Sequence, residues 1–251
     1  MEQRIAVITG GGRGLGRSMA LHLAHAGSDI VITYRSDVAA AKAVVADVEA
    51  LGRRASALQL DVGHCHKFPA FADRLRELLE QWGQSRFDVL INNAGVSLHA
   101  PLMEVTEAQF DEVIGVHFKA VVFLTSALAP LLNDGGRILN ISSGLARFSL
   151  PGSGVYAAAK GAVEVLTRYQ AREFAGRRIT ANVLAPGAIE TDFSGGMVRD
   201  NPEVNRLVAS MTALGRAGLP DDVGAAAAAL LAEGNGWVTG QRIEVSGGMM
   251  L

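Results

Sequence analysis

A tyrosine and a lysine stand four residues apart in Tyr156-Ala-Ala-Ala-Lys160, within a run of helix formers, and Ser143 lies thirteen residues upstream of the tyrosine. One helical turn separates the pair, so both side chains leave the same face. Together the three residues supply a weak acid, a cation and a hydroxyl. A free phenol, with a pKa of about 10, is poorly matched to proton transfer at neutral pH. An ammonium beside it favours the phenolate. Such a set can give a proton to an oxygen that gains charge, or take one from it. Read alone, a Tyr-Lys pair at this spacing is more often a surface pair on a helix, so the surrounding motifs must decide.

The first apolar run, Ile5-Ala-Val-Ile, leads into Thr9-Gly10-x-x-x-Gly14-x-Gly16. No register here satisfies the common Gly-x-Gly-x-x-Gly spacing, but the physics is the same. Glycines let the backbone turn sharply and approach a pyrophosphate, which then sits at the start of the following helix. Gly10, Gly12, Arg13, Gly14, Leu15 and Gly16 are the candidate contacts, although a Gly-rich turn by itself could be only a tight loop. The second apolar run ends Tyr34-Arg35-Ser36, with no acid until Asp37. A site for NAD(H) places Asp or Glu there for the ribose 2′-hydroxyl. Arg35 and Arg13 instead suit a 2′-phosphate, which favours NADP(H), with NAD(H) the alternative; two solvated surface arginines would read the same way. Three more segments fall where strands should end. Asp61-Val62 is placed for adenine, Asn93-Ala94-Gly95 for a turn near the ribose, and Pro186-Gly187 with Ile189 and Thr191 for the nicotinamide amide.

These residues need a frame. At 251 residues the chain can bury a sizeable core without a metal or disulfide staple. Cys65 is the single cysteine, which excludes an internal disulfide and suits a reducing, cytoplasmic setting. The formal net charge of −2 gives nucleic acid or an anionic membrane no electrostatic handle. Residues 1–4 are expected to enter the first strand directly, without a charged-then-apolar leader. The longest mostly apolar stretch, 120–132, contains Thr125, Ser126 and Pro130 and falls short of the roughly 20 residues of a membrane span.

Short β-branched runs alternate with Ala- and Leu-rich segments. Strands are expected at 4–9, 29–34, 54–60, 87–91, 136–141, 178–184 and 241–245, and helices at 14–26, 38–51, 67–81, 107–132, 153–175 and 220–233. The strands lack polar alternation, as strands covered on both faces do. This order implies right-handed crossovers and one doubly wound parallel sheet, α/β in class, with helices on both faces. No linker or repeat interrupts it, so residues 1–251 are expected to form one domain. Segment 192–219 breaks the rhythm with Gly195-Gly196 and Asn201-Pro202. It is read as a substrate lid, against the alternative of a surface insertion that only packs.

With these motifs in this order, the chain closely resembles the classical short-chain dehydrogenase/reductases from Arg4 to Gly248. The matching residues are Thr9-Gly-x-x-x-Gly-x-Gly16, Asp61-Val62, Asn92-Asn-Ala-Gly95, Ser143, Tyr156-x-x-x-Lys160 and Pro186-Gly187. The resemblance implies a single-domain Rossmann fold with a seven-stranded sheet. It also implies hydride transfer between a nicotinamide cofactor and a ketone or secondary alcohol, and a homotetramer built through the two long helices and the C-terminal strand region. It assigns roles as well. Tyr156 is the acid in reduction and the base in oxidation. Lys160 favours the phenolate and holds the nicotinamide ribose hydroxyls. Ser143 hydrogen-bonds and polarises the substrate oxygen.

One position departs from the family. An Asn in a Val-Asn-x-x-x segment of the fifth helix holds a relay water there, whereas this chain reads Val116-His117-Phe118-Lys119-Ala120. A histidine donates and accepts hydrogen bonds and titrates near neutrality. His117 is therefore expected to keep the relay and add pH dependence, the alternative being a histidine that merely packs.

The substrate mouth is expected to carry Leu98, His99, Leu145, Phe148, Leu150 and Met197, with Arg147 and Arg199 on its rim. An apolar slot with a basic rim suits an acyl thioester on a phosphopantetheine arm, or a small apolar ketone. The C-terminal run, from Gly215 to Asp222 and through Thr239-Gly240-Gln241 to Gly247-Gly248-Met249, is similar to that of 3-oxoacyl carrier-protein reductases. His64-Cys65-His66 lacks further ligands and reads as a turn rather than a metal site. A non-catalytic NADP(H)-binding sensor or scaffold is the competing reading. Its mark would be loss of Ser, Tyr or Lys, and all three are present.

Overall fold

In a computed structural model describing residues 4–251, the apolar runs form strands and the Ala- and Leu-rich segments form helices, in alternation. The expectation for residues 1–3 lies outside the described residues. The strands are β1 (Ile5–Ile8), β2 (Asp29–Tyr34), β3 (Ala55–Gln59), β4 (Phe87–Asn92), β5 (Leu132–Ile141), β6 (Thr180–Pro186) and β7 (Arg242–Val245). They make one seven-stranded parallel sheet in the order β3-β2-β1-β4-β5-β6-β7. Each central strand is buried on both sides. Ile5 and Val7 of β1 face one core cluster while Ala6 and Ile8 face the other, which is why the strands show no polar alternation.

Helices α1 (Gly14–His25) and α2 (Val38–Ala50) cover one face of the sheet. Helix α3 (Phe68–Gln81) covers the other, through Phe68, Phe71, Leu75 and Leu79. Beside α3 run α4 (Glu107–Ile114), a π-helical turn (Gly115–Lys119) and α5 (Ala120–Leu128), followed by α6 (Gly154–Glu173). The expected lid folds into a 3-10 turn (Phe193–Gly196), α7 (Met197–Asp200) and α8 (Pro202–Ser210). Helix α9 (Pro220–Leu230) returns to pack beside α1 and leads to β7. A buried polar network pins the helices that carry the site. The Asn92 amide donates to Thr125 Oγ1 and Asn140 Oδ1, and the Asn140 amide donates to Thr167 Oγ1 and Gln170 Oε1.

Three expectations need correction. The helix expected over 107–132 stops at Leu128, because Pro130 cannot continue it, and β5 begins at Leu132 rather than 136. The early start of β5 is irregular, with a register shift opposite Phe87 and Val89 and Gly135 at φ +79°. Strand β6 starts at Thr180, not 178, since Arg178 holds φ +56° at the end of a 3-10 turn. Finally, the continuous helical run Glu107–Leu131 is long and apolar enough to cross a membrane, by length and composition. Its residues Val113, His117, Ala120, Leu124 and Leu128 are nonetheless buried, several of them in the core beneath the sheet.

Candidate active site

Strand order reverses between β1 and β4, and ligands of open α/β sheets bind at such a switch point. Here the chain ends of the two strands are tied together. The Asn93 amide donates to the carbonyls of Thr9 (2.8 Å) and Gly10 (3.1 Å), while Thr9 Oγ1 accepts from the Asn93 and Ala94 N–H groups. Strand β2 joins them through Thr33, whose hydroxyl and carbonyl accept from Gly10 and Gly11 N–H. Two glycines of the turn have specific reasons to be glycine. Gly10 lies at φ +64°. A Cβ on Gly16 would fall 2.3 Å from the Gly10 carbonyl oxygen and 2.7 Å from Asn93 Nδ2. Helix α1 starts from this turn, and its N-cap residue, Arg13, makes no side-chain capping bond. Its first N–H groups are thus open to an anion.

At the end of β2, Tyr34 is half-buried while Arg35 and Ser36 are exposed. Neither Arg13 nor Arg35 makes an ion pair or side-chain hydrogen bond among the described residues. Asp61 folds back on its own turn, accepting from Gly63 N–H and lying 3.2 Å from His64 Nδ1; Val62 is buried beside Ala94. Thr191 reaches the Gly-rich turn from the β6 side, with a Cβ on Gly14 falling 3.6 Å from it. Gly187 N–H bonds to the Val245 carbonyl, and Pro186 and Gly187 line a pocket with Ser143. These features make a cradle, with fixed backbone and unpaired cations, that fits a dinucleotide carrying a 2′-phosphate.

Ser143 sits just beyond β5 with extended backbone, caps a short 3-10 turn by accepting from Leu145 N–H at 3.2 Å, and has its hydroxyl close to the Tyr156 phenol. Ser142 points away, donating to Glu164, as alternation in an extended chain requires. Tyr156 and Lys160 occupy adjacent turns of α6, with Lys160 Nζ 5.6 Å from the phenol ring centroid. The ammonium is buried and donates to the Ile141 carbonyl at 2.7 Å. Burial pushes the Tyr156 phenol up to about 12, partly opposed by the hydrogen bond from Ser143, and pushes Lys160 down to about 7. The expectation that Lys160 tips Tyr156 towards phenolate is therefore corrected. In the protein itself desolvation dominates, and the phenol keeps its proton at neutral pH.

His117 reaches the same centre. Its ring meets Tyr156 edge-on, with centroids 5.0 Å apart. The residue lies in the π-helical turn between α4 and α5, a distortion that sequence periodicity does not reveal and that often marks functional positions. Nε2 lies 2.6 Å from the Val96 carbonyl oxygen and 3.1 Å from the Val96 nitrogen; the shorter contact favours the tautomer with the proton on Nε2, donating to that oxygen. Nδ1 is then an acceptor, buried and without a partner among the described residues. Burial, and then the nearby Lys160 charge, hold His117 down to about 3. The expected titration near neutrality is thus overturned, since the imidazole is neutral throughout the physiological range.

The mouth differs in part from expectation. Leu145, Phe148 and Leu150 line a pocket with Ser143, joined by Met249, which the sequence reading placed in the C-terminal run and not in the mouth. Phe193 was also missed; its ring tilts against Tyr156 with centroids 5.9 Å apart, and the residue remains 42% exposed. It precedes three residues at positive φ, Ser194, Gly195 and Gly196, and only the two glycines could have hinted at that turn. Met197 is exposed, Leu98 is half-buried and His99 packs over Gly152, where a Cβ would lie 2.5 Å from the ring. The basic rim is corrected. Arg147 pairs with Glu244, and Arg199 pairs with Asp192 and Asp200, so neither is a free cation.

Comparison with known proteins agrees with this geometry. A family model described as enoyl-(acyl carrier protein) reductase matches residues 10–250. An uncharacterized oxidoreductase of Methylorubrum extorquens is 36% identical over 249 residues, covering 99% of this chain and 98% of that one. A hydroxynaphthalene reductase-like protein of Metarhizium brunneum is 34% identical, covering 98% of this chain and 94% of its own. Among solved structures, an angucycline C-6 ketoreductase with bound NADP superimposes with a TM-score of 0.92 at 33% identity, over 98% of this chain and 95% of the other. The chain belongs to the classical short-chain dehydrogenase/reductase family of oxidoreductases.

Proposed function

We propose that this protein reduces a hydrophobic, ring-bearing ketone to a secondary alcohol with NADPH, Tyr156 supplying the proton. The observation that carries the reading is the meeting of Ser143, Tyr156 and Lys160 beside an apolar pocket at the open end of the sheet. The Gly10–Gly16 turn and the α1 N-terminus hold the pyrophosphate; Arg13 and Arg35, both unpaired, hold the 2′-phosphate. Asp61-Val62, Ala94-Gly95 and the segment from Pro186 to Thr191 complete the contacts, with Asn93 acting by fixing the turn. Bound NADPH supplies the hydride. Ser143 donates to the substrate oxygen, and Tyr156 protonates that oxygen as it gains charge. Lys160 has one donor committed to the Ile141 carbonyl, leaving donors for ribose hydroxyls. The His117 Nδ1 lone pair accepts from a water that returns a proton to Tyr156 through Lys160.

Phe193 and the turn after it form the substrate-facing edge of the lid, 192–219. The relatives named for hydroxynaphthalene and angucycline chemistry support a flat aromatic ketone. A 3-oxoacyl thioester is the second reading, supported only by the acyl carrier protein in the matched family model's description. The paired state of Arg147 and Arg199 weighs against it, because a phosphopantetheine arm needs free cations. The exposed apolar residues Phe123 on α5 and Val165 and Tyr169 on α6 support a homotetramer through these helices.

The test follows cofactor absorbance with NADPH and with NADH, over naphthol-type ketones and a 3-oxoacyl thioester. NADPH and a ring-bearing ketone are the expected pair, and Arg35→Ala raises KM for NADPH about tenfold with little change for NADH. Preference for NADH, or turnover of the thioester alone, would overturn the corresponding half of the reading.

A further inference from the structure

The segment Ser142-Ser143 is gripped by charged residues that the proton transfer itself does not use. Ser142 Oγ donates to Glu164 Oε1 at 2.7 Å. Arg242 Nε donates to that same oxygen at 2.8 Å, its Nη1 to Glu244 Oε2 at 2.8 Å, and its Nη2 to the main-chain carbonyl of Ser143 at 3.3 Å. Arg147 extends the row. Its Nε and Nη2 each donate to a Glu244 oxygen at 2.9 Å, and its Nη1 and Nη2 donate to the carbonyls of Met250 and Met249. Charges thus alternate from Arg147 through Glu244 and Arg242 to Glu164. They join the loop after β5, the edge strand β7, the C-terminal residues and α6.

Exposed ion pairs do little, but this row has features that isolated pairs lack. Its side chains are only 15–36% exposed, and Arg147 meets Glu244 with a two-pronged fork. Burial alone would raise Glu244, yet hydrogen bonds from Arg147 and Arg242 hold it down to about 2. The row also ends at informative places. Glu164 lies one turn beyond Lys160 and two beyond Tyr156 on α6, so it fixes Ser142 to the helix that carries the acid. At the other end, Arg147 fastens Met249, which shares the substrate pocket with Ser143.

We propose that Arg242 and Glu164 are positioning residues for Ser143, holding its carbonyl and the neighbouring hydroxyl so that its own hydroxyl meets Tyr156 and the substrate oxygen. This inference rests on the reading of Ser143 as the donor to that oxygen. A purely structural role for the row would stiffen the edge strand and leave the active centre indifferent.

The test is a double-mutant cycle. Arg242→Met and Glu164→Gln are each made with Ser143 present and in Ser143→Ala, and kcat and KM are measured for NADPH and the ketone. With Ser143 present, Arg242→Met is expected to lower kcat about tenfold to a hundredfold, with KM for NADPH within about twofold. In Ser143→Ala the same change is expected to cost less than about twofold, because the residue it positions is gone. Equal losses in both backgrounds would overturn the inference. Arg242→Lys guards against misfolding and is expected to fall between the two. Hydrogen exchange over residues 144–146 gives a readout independent of turnover. Faster exchange there in Arg242→Met, with α2 unchanged, is expected, and unchanged exchange there would overturn the inference. Wild-type protein without any ketone turnover would instead sink the reductase reading, and the exchange result would then decide the positioning role alone.

Discussion

At Tyr156 two effects pull in opposite directions. Desolvation raises the phenol to about 12 while the Ser143 hydroxyl stabilises the phenolate, and desolvation wins. That ordering suits an acid that must arrive protonated and lose its proton only as charge builds on the neighbouring oxygen. Lys160, lowered to about 7 by burial, is the group here whose charge changes near neutrality; it fades as pH rises through that value. His117, held down to about 3, is already neutral there. The pH–rate profile of His117→Asn between pH 5 and 9 is therefore expected to keep the wild-type shape, since no histidine ionisation is lost. An amide still accepts a hydrogen bond, so kcat should stay within about tenfold. His117→Leu, which cannot accept one, should fall further. A profile limb present in wild type and missing in His117→Asn would contradict the neutral assignment. That Ser143, Tyr156 and Lys160 meet was legible only from their spacing together with the surrounding motifs and the family resemblance, and the protonation states were not legible at all. Burial set them, and burial depends on the whole fold.

At the scale of elements, legibility followed the clarity of local signals. Strand β2 matches its expected limits, 29–34, because the β-branched run Ile30-Val31-Ile32-Thr33 lies between Gly27 and the turn at Ser36. The start of α1 was legible in Gly14, which takes φ +53° at the helix entrance. The run from 107 to 132 was legible as helix but not in its detail. The π-helical turn at Gly115–Lys119 inserts no Gly-Pro break and no polar run, so the apolar pattern passes through it unmarked. The same limit hid Phe193. An aromatic in an irregular segment carries no period, and only the fold of segment 192–219 brings it onto Tyr156. The charge ladder from Arg147 to Glu164 was hidden for another reason. Its members lie as much as 97 residues apart in a single pair, beyond any local pattern.

For the molecule as a whole, one parallel sheet sets the site beyond the ends of its strands, where α6 and the π-helical turn bring Tyr156, Lys160 and His117, and the outer helices are left with apolar surface. Phe123 is 50% exposed and Tyr169 63%, large residues that a lone chain would leave in water. Light scattering is expected to give the mass of four chains, and Phe123→Glu to give smaller assemblies; a wild-type monomer would contradict the shared helical interface. Tyr156 is proposed as the acid of an NADPH-dependent ketone reduction. The most direct test of that role compares wild type with Tyr156→Phe for NADPH binding, by cofactor fluorescence, and for ketone turnover. The phenyl ring preserves the packing against His117 and Phe193 and removes the hydroxyl that carries the proton. Binding within about threefold of wild type, with turnover lowered by about a hundredfold to ten-thousandfold, is the expected result. Turnover left intact in Tyr156→Phe would contradict the claim, and NADPH binding without turnover in either protein would point to a sensor instead.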